Sequence, residues 1–309
     1  MTIQGIDRIT YGVANMAAAR RFLSDWGLAL VEEGAAMLRF ETLDGGEVVV
    51  RVKDDPVLPP AIEPGSTLRE LVWGIADAAS LAALAASLHA LPAFDERDGL
   101  PGCRDPIGLQ LRFRVSRRRP VEVKGSPLNT CDSTPRVDEP SPVYERAHPV
   151  RIGHVVLFTD RLEQCERFYC DHLGFLASDR YPGRGVFLRC RPRGGHHDLF
   201  FLELPEKKVG LNHVAFTVRD IHEVFGGGLH IGRCGWATDI GPGRHPISSA
   251  YFWYVKSPCG GSAEYYSNED FVTENWRPRA FQPSSETFAE WAIVGGIDGH
   301  TRRQAPLKT

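Results

Sequence analysis

The chain has 309 residues, enough for one large hydrophobic core or two ordinary ones of about 150 residues each. Hydrophobic residues make up 42% and charged residues 24%, with a formal net charge of −3 and a pI near 6.4, a balance that gives no footprint for nucleic acid or an acidic membrane surface. Seven cysteines, odd in number and without C-x-x-C spacing, read as reduced thiols, and neither an apolar signal core nor a bilayer-length run is present, so a soluble cytoplasmic protein is expected.

Residues 6–13 have the pattern of a strand, and residues 16–26 place Ala18, Phe22 and Trp26 at helical spacing before Gly27 ends the run. Strand-like runs follow at 36–40 and 47–51. Prolines at 56, 59, 60 and 64 break the chain; 68–75 resumes as a strand, 81–91 as an alanine-rich helix and 108–115 as a strand. Residues 116–150 carry prolines at 120, 127, 135, 140, 142 and 149 and predict a linker or wrapping arm. Its run Arg117-Arg118-Arg119 is the one dense basic patch, expected as a solvated loop. Beyond it come a strand at 152–158, a helix at 162–173 closed by Gly174, strands at 185–188, 198–204 and 211–218, a glycine-weakened helix at 221–229, and strands at 250–255 and 262–266. The tail holds Ser284 to Trp291, predicted as a capped amphipathic helix with a packing or oligomer-contact role.

The second half repeats the plan of the first. Arg21-Phe22 answers Arg167-Phe168, Asp77 answers Asp220, and Asp105-Pro106-Ile107-Gly108 answers Ser257-Pro258-Cys259-Gly260. The unit is a strand, a helix and several strands, occurring four times as two pairs. In that register Arg8, Glu70 and Arg112 fall where the second half has His154, His213 and Glu264.

His213 alone is most economically a buried core histidine, and strand alternation sets it on one face with Leu211, Ala215 and Thr217. With His154 and Glu264 also at mid-strand, two imidazoles and a carboxylate offer the facial donor set of non-haem Fe(II) oxygen chemistry. Only the second half offers such a set; the first is scaffold.

With these residues the chain resembles the type I extradiol catechol dioxygenases of the vicinal oxygen chelate superfamily, over its whole length and most densely from His154 to Glu264. The resemblance implies an α+β fold of two domains, each a pair of βαβββ modules forming curled mixed sheets around a central site. It places a first domain at 1–115, the linker at 116–150, a catalytic domain at 151–270 and a tail at 271–309. It implies Fe(II), with Mn(II) as an alternative, held by His154, His213 and Glu264. His197, second of the pair His196-His197, is implied as the acid–base. His245 in Gly243-Arg244-His245 and Tyr254 nine residues later are implied to hydrogen-bond the substrate oxygens. The implied partners are a small aromatic diol and O2, with no nucleic acid or membrane, in a homo-oligomer. Pro246-Ile247-Ser248 stands where the family commonly has polar residues, which predicts a more apolar wall and leaves the substrate open. The alternatives are a glyoxalase-like isomerase or thiol transferase, or a metal-free binding protein of the same superfamily. A second half-site for the former is disfavoured by Arg8, Glu70 and Arg112.

Overall fold

The apolar runs of the sequence become inner strands and the polar ones outer strands. The structure, a computed structural model, describes residues 3–91 and 93–294. The first half forms β1 (Ile3–Val13), α1 (Met16–Asp25), β2 (Ala29–Glu33), β3 (Met37–Glu41), β4 (Glu47–Val52), β5 (Thr67–Ile75), α2 (Ala78–Leu88), β6 (Phe94–Arg97), β7 (Leu100–Arg104) and β8 (Gln110–Val115). These strands make one sheet in the order β2-β3-β4-β1-β5-β8-β7-β6. At its centre β1 and β5 run antiparallel, each flanked by a parallel neighbour, β4 and β8.

The second half forms β9 (Arg151–Phe158), α3 (Leu162–Arg167), β10 (Leu176–Tyr181), β11 (Gly185–Arg189), β12 (Gly194–Gly195), β13 (Leu199–Leu202), β14 (Gly210–Thr217), α4 (Ile221–Arg233), β15 (Thr238–Arg244), β16 (Tyr251–Lys256) and β17 (Ser262–Ser267). The tail adds β18 (Phe271–Val272), β19 (Arg279–Ala280), α5 (Ser285–Phe288) and β20 (Trp291–Val294). The large sheet is ordered β19-β10-β11-β13-β9-β14-β17-β16-β15-β20. Its centre is again an antiparallel pair, β9 and β14, flanked by parallel β13 and β17. Each half is thus two βαβββ modules joined along their first strands, and both sheets are mixed, as expected.

The halves share their packing. Trp26, at the end of α1, stacks on Tyr265 of β17 with ring centroids 3.6 Å apart, and the Tyr265 hydroxyl donates to the Trp26 carbonyl at 2.7 Å. Trp73 of β5 meets Phe175 at 5.0 Å, and the Tyr169 hydroxyl donates to Asp105 at 3.1 Å. One cluster of buried apolar side chains runs through both sheets.

Several sequence expectations are corrected. Strands β2, β6, β7, β10 and β15 are not legible in the sequence, because they lie in the outer parts of the sheets where charge, glycine and proline replace alternation. The helix predicted at 81–91 starts earlier, at Ala78, where the Asp77 side chain accepts the Ser80 amide. The helix predicted at 162–173 is α3 followed by a π-helical turn, Phe168–His172. The amphipathic helix expected at 284–291 is a single capped turn, α5. The chain turns extended at Ala289, buries Ala289 and Ala292 against Phe252 and Tyr254, and adds β20 to the sheet edge. The basic run is no freely solvated loop: Arg118 pairs with Asp7 at 3.4 Å and Arg119 donates to the Leu43 carbonyl at 3.0 Å. Leu211 does not share a face with His213. A register slip between them sends Leu211 into the main core with Val214 and Phe216. Residues 295–309, which include His300, lie outside the described residues. Among the described residues no helix is long and apolar enough to cross a membrane.

Candidate active site

Register on the central strands builds the site. Ala215 of β14 pairs with His154 of β9 on one side and Glu264 of β17 on the other, and Glu264 pairs in turn with Tyr254 of β16. His213 lies two residues before Ala215 on the same face of β14. The Ala215 methyl is small enough to leave the space between the flanking side chains open. Gly153 allows a further approach, because a Cβ there would sit 2.1 Å from the Tyr266 hydroxyl beside His154.

The three predicted donors converge. His154 Nε2 and His213 Nε2 lie 3.1 and 3.2 Å from Glu264 Oε2, and 3.4 Å from each other. All three residues are buried, yet Glu264 Oε2 has no hydrogen-bond partner with acceptable geometry. A buried carboxylate oxygen left so, facing two imidazole nitrogens, fits a cation as the missing partner. Burial, followed by the nearby His197, pushes His154 down to about 3, and burial also lowers His213. Burial works the other way on Glu264, but the three imidazoles that face it, His154, His213 and His245, outweigh burial and hold it well below the usual carboxylate range. Neutral imidazoles and an ionised carboxylate are the protonation states a divalent metal requires. The Nδ1 of His213 donates to Asn212 Oδ1 at 2.6 Å, which turns the Nε2 lone pair toward the shared point.

The other predicted residues surround this trio. His197 is buried, its ring 4.1 Å from that of His154, so the pair at 196 and 197 is not an exposed loop. His245 Nδ1 donates to the Phe288 carbonyl at 2.7 Å, and its Nε2 lies 3.0 Å from the Tyr254 hydroxyl. Burial and the neighbouring Glu264 carboxylate push the Tyr254 phenol well up, so Tyr254 stays a donor. The tail therefore has more than a packing role: Phe288 and Thr287 line the pocket and Phe288 orients His245.

Glu269 was not foreseen. Its Oε1 accepts the His197 amide at 3.2 Å and lies 3.4 Å from His197 Nδ1. His154, His197 and Glu269 also converge well enough to suit a metal. The Glu269 carboxylate is already matched by the His197 amide, whereas Glu264 Oε2 has no partner, which favours the trio of His154, His213 and Glu264. The pocket wall is apolar, with Phe187 stacked on Phe200 at 4.0 Å beside Val156 and Ile247, and no lysine or arginine among its lining residues. The apolar wall expected from Pro246-Ile247-Ser248 is there, since Ile247 is buried in that cluster. Ser248 and Ser249 both have positive φ (71° and 61°), a strained turn that brings Ile247 and Ser248 to the pocket.

In the first sheet the same row reads Arg8, Val72, Arg112, with Glu70 at the place of His213. Arg8 pairs with Glu70 at 3.2 Å and Arg112 with Asp95 at 2.6 Å. Among the described residues that row holds no metal-binding group.

Residues 151–265 match the family described as the Glyoxalase/Bleomycin resistance protein/Dioxygenase superfamily. The chain is 30% identical over 198 residues to metapyrocatechase 2 of Cupriavidus necator, across 62% of this chain and 59% of that one. It is 32% identical over 146 residues to an iron-dependent extradiol dioxygenase of Rhodococcus jostii (strain RHA1), across 41% of this chain and 47% of that one. The match thus spans less than two thirds of the length of either curated relative. The Mn(II)-bound glyoxalase from Novosphingobium aromaticivorans shares the fold, with a TM-score of 0.73 at 24% identity over 100% of this chain and 95% of that one.

Proposed function

We propose, from the membership of residues 151–265 in the glyoxalase/bleomycin resistance protein/dioxygenase superfamily, that this protein is an extradiol dioxygenase. It opens the ring of a catechol-type diol beside its two hydroxyls, using O2 and an Fe(II) ion held by His154, His213 and Glu264. The observation that carries this reading is the buried Glu264 Oε2, without a hydrogen-bond partner and 3.1 and 3.2 Å from two imidazole nitrogens. Similarity to a metapyrocatechase and to an iron-dependent extradiol dioxygenase supports it. Mn(II) suits the same donors.

When bound, the metal supplies Lewis acidity to the diol and a redox route to O2. The protein's own groups do the rest. His197 takes the second hydroxyl proton and later returns it, a task an imidazole performs near neutrality. Tyr254, whose hydroxyl donates to His245 Nε2, accepts from a diol hydroxyl and fixes the ring. Phe187, Phe200, Val156 and Ile247 exclude water and take the ring's far edge.

With no cation on the wall, a ring bearing a carboxylate would bury an unpaired charge. We therefore expect diols with neutral substituents as substrates, and a kcat/KM at least about 100-fold lower for 3,4-dihydroxybenzoate than for catechol. Protein reconstituted with Fe(II) under anaerobic conditions should turn catechol or 2,3-dihydroxybiphenyl into a yellow ring-opened product, with one O2 consumed per ring. Full iron loading with no oxygen uptake on any diol overturns the assignment. A glyoxalase-like reading lacks support, because Glu70 is ion-paired to Arg8 and Arg112, and Arg112 to Asp95 as well.

The seven free cysteines support a reducing, cytoplasmic compartment. The apolar side chains of Val31, Leu229 and Phe271 are exposed, which supports association of copies into a homo-oligomer; light scattering on the purified protein checks it.

A further inference from the structure

Behind the pocket lie two side chains that the reaction above does not use. Asp179 of β10 and His196 are both fully buried, a costly placement unless each polar atom is matched. Asp179 is matched first by Arg279 of β19, whose backbone amide donates to Oδ1 at 2.8 Å and whose Nη2 donates to Oδ2 at 2.6 Å. Trp276 closes the back of the group, with its ring edge-on to His196 at 5.9 Å and the Arg279 guanidinium over its face at 4.7 Å.

The hydrogen-bond directions then follow from chemistry. Asp179 Oδ2 lies 2.8 Å from His196 Nε2, and an ionised carboxylate only accepts, so His196 Nε2 carries the proton. Burial keeps His196 neutral, which leaves its Nδ1 as a lone pair. That lone pair lies 3.3 Å from His197 Nδ1, so His197 Nδ1 must be the donor. Glu269 Oε1, 3.4 Å from the same nitrogen, makes the same demand. With Nδ1 protonated, a neutral His197 presents Nε2 as a bare lone pair, and among the described residues that nitrogen has no hydrogen-bond partner.

We infer that Asp179 and His196 are positioning residues that lock His197 in the tautomer able to receive a proton at Nε2, with Glu269 as a second acceptor on the same side. The inference rests on the reading of His197 as the acid–base. The logic is that of a carboxylate orienting a catalytic imidazole, here with a second imidazole inserted between them.

The test is a long-range ¹H–¹⁵N correlation spectrum of metal-free, ¹⁵N-histidine-labelled protein, which reads the protonated nitrogen of each ring. Resonances of His196 and His197 are assigned by difference from H196Q and H197Q. The expected result is His197 protonated on Nδ1 and His196 on Nε2. In D179N the amide can donate to His196 Nε2, and the His197 Nδ1–H population should fall. The iron-loaded variant should then lose about 10- to 100-fold in kcat, with KM and iron content unchanged. A wild-type His197 protonated on Nε2 overturns the inference, as does a folded D179N whose tautomer and kcat are those of wild type. If D179N does not fold, the wild-type spectrum decides alone. The spectrum needs no substrate, so a protein inactive on every diol yet showing the expected tautomers would sink the proposed reaction and leave the lock standing.

Discussion

At the scale of single residues, the proposed function divides the site into side chains that would meet the metal and side chains that would meet the substrate. Glu264 supplies the only negative charge among the three donors, so Glu264→Ala leaves two neutral imidazoles and no carboxylate to balance a dication. Iron content by mass spectrometry should drop to background in E264A. His197→Ala removes a group that touches His154 by its ring but donates to neighbours of its own, so iron should bind at wild-type stoichiometry while kcat falls by roughly 10²- to 10⁴-fold. Full iron occupancy in E264A, or iron loss in H197A, would reverse the two roles. The donors were legible in the sequence because each sits at a fixed count from a repeated signature, and two strands separated by a repeat unit bring equal counts into one row. Asp179 and Glu269 were not. Their distance from the pocket is set by which strand neighbours which, and neither residue stands out in its own segment.

At the scale of elements, α4 shows how packing overrides propensity. Three consecutive glycines, Gly226, Gly227 and Gly228, argued for a short weak helix, yet α4 runs on to Arg233. The glycines let neighbours approach: a Cβ on Gly228 would lie 2.1 Å from the Trp253 ring, and one on Gly226 would lie 2.2 Å from the Tyr144 carbonyl of the wrapping arm. Gly232 has nothing within 4 Å. The two positions should therefore respond with opposite signs to the same substitution. Gly232→Ala gains helix propensity and should stabilise by about 1 kcal/mol. Gly228→Ala gains the same propensity but forces the Trp253 indole to move, and should destabilise by a net ~1–3 kcal/mol. Urea denaturation of both variants checks the signs; a stabilising Gly228→Ala would mean that Trp253 is not packed against α4. The same override hid the Leu211 slip. Alternation predicts one face for Leu211 and His213, and only pairing with β9 reveals the extra residue.

At the scale of the whole molecule, the repeat predicts two similar halves but says nothing of how they are joined. Consecutive residues of β17 face in opposite directions, so Glu264 enters the pocket while Tyr265 leaves it to stack on Trp26 of the first half. The proposed metal site is thereby one residue from the contact between sheets, and a single apolar cluster spans them. We propose that the chain unfolds as one cooperative unit, with the first half stabilising the strand that carries the carboxylate. Trp26→Ala removes a fully buried indole and should cost about 3–5 kcal/mol. In guanidinium titrations of the iron-loaded protein, intrinsic fluorescence and iron release should follow one transition in the wild type, and both should shift together to lower denaturant in W26A. Two separated transitions, with iron release unmoved by W26A, would make the halves independent and confine the role of the first to its own sheet.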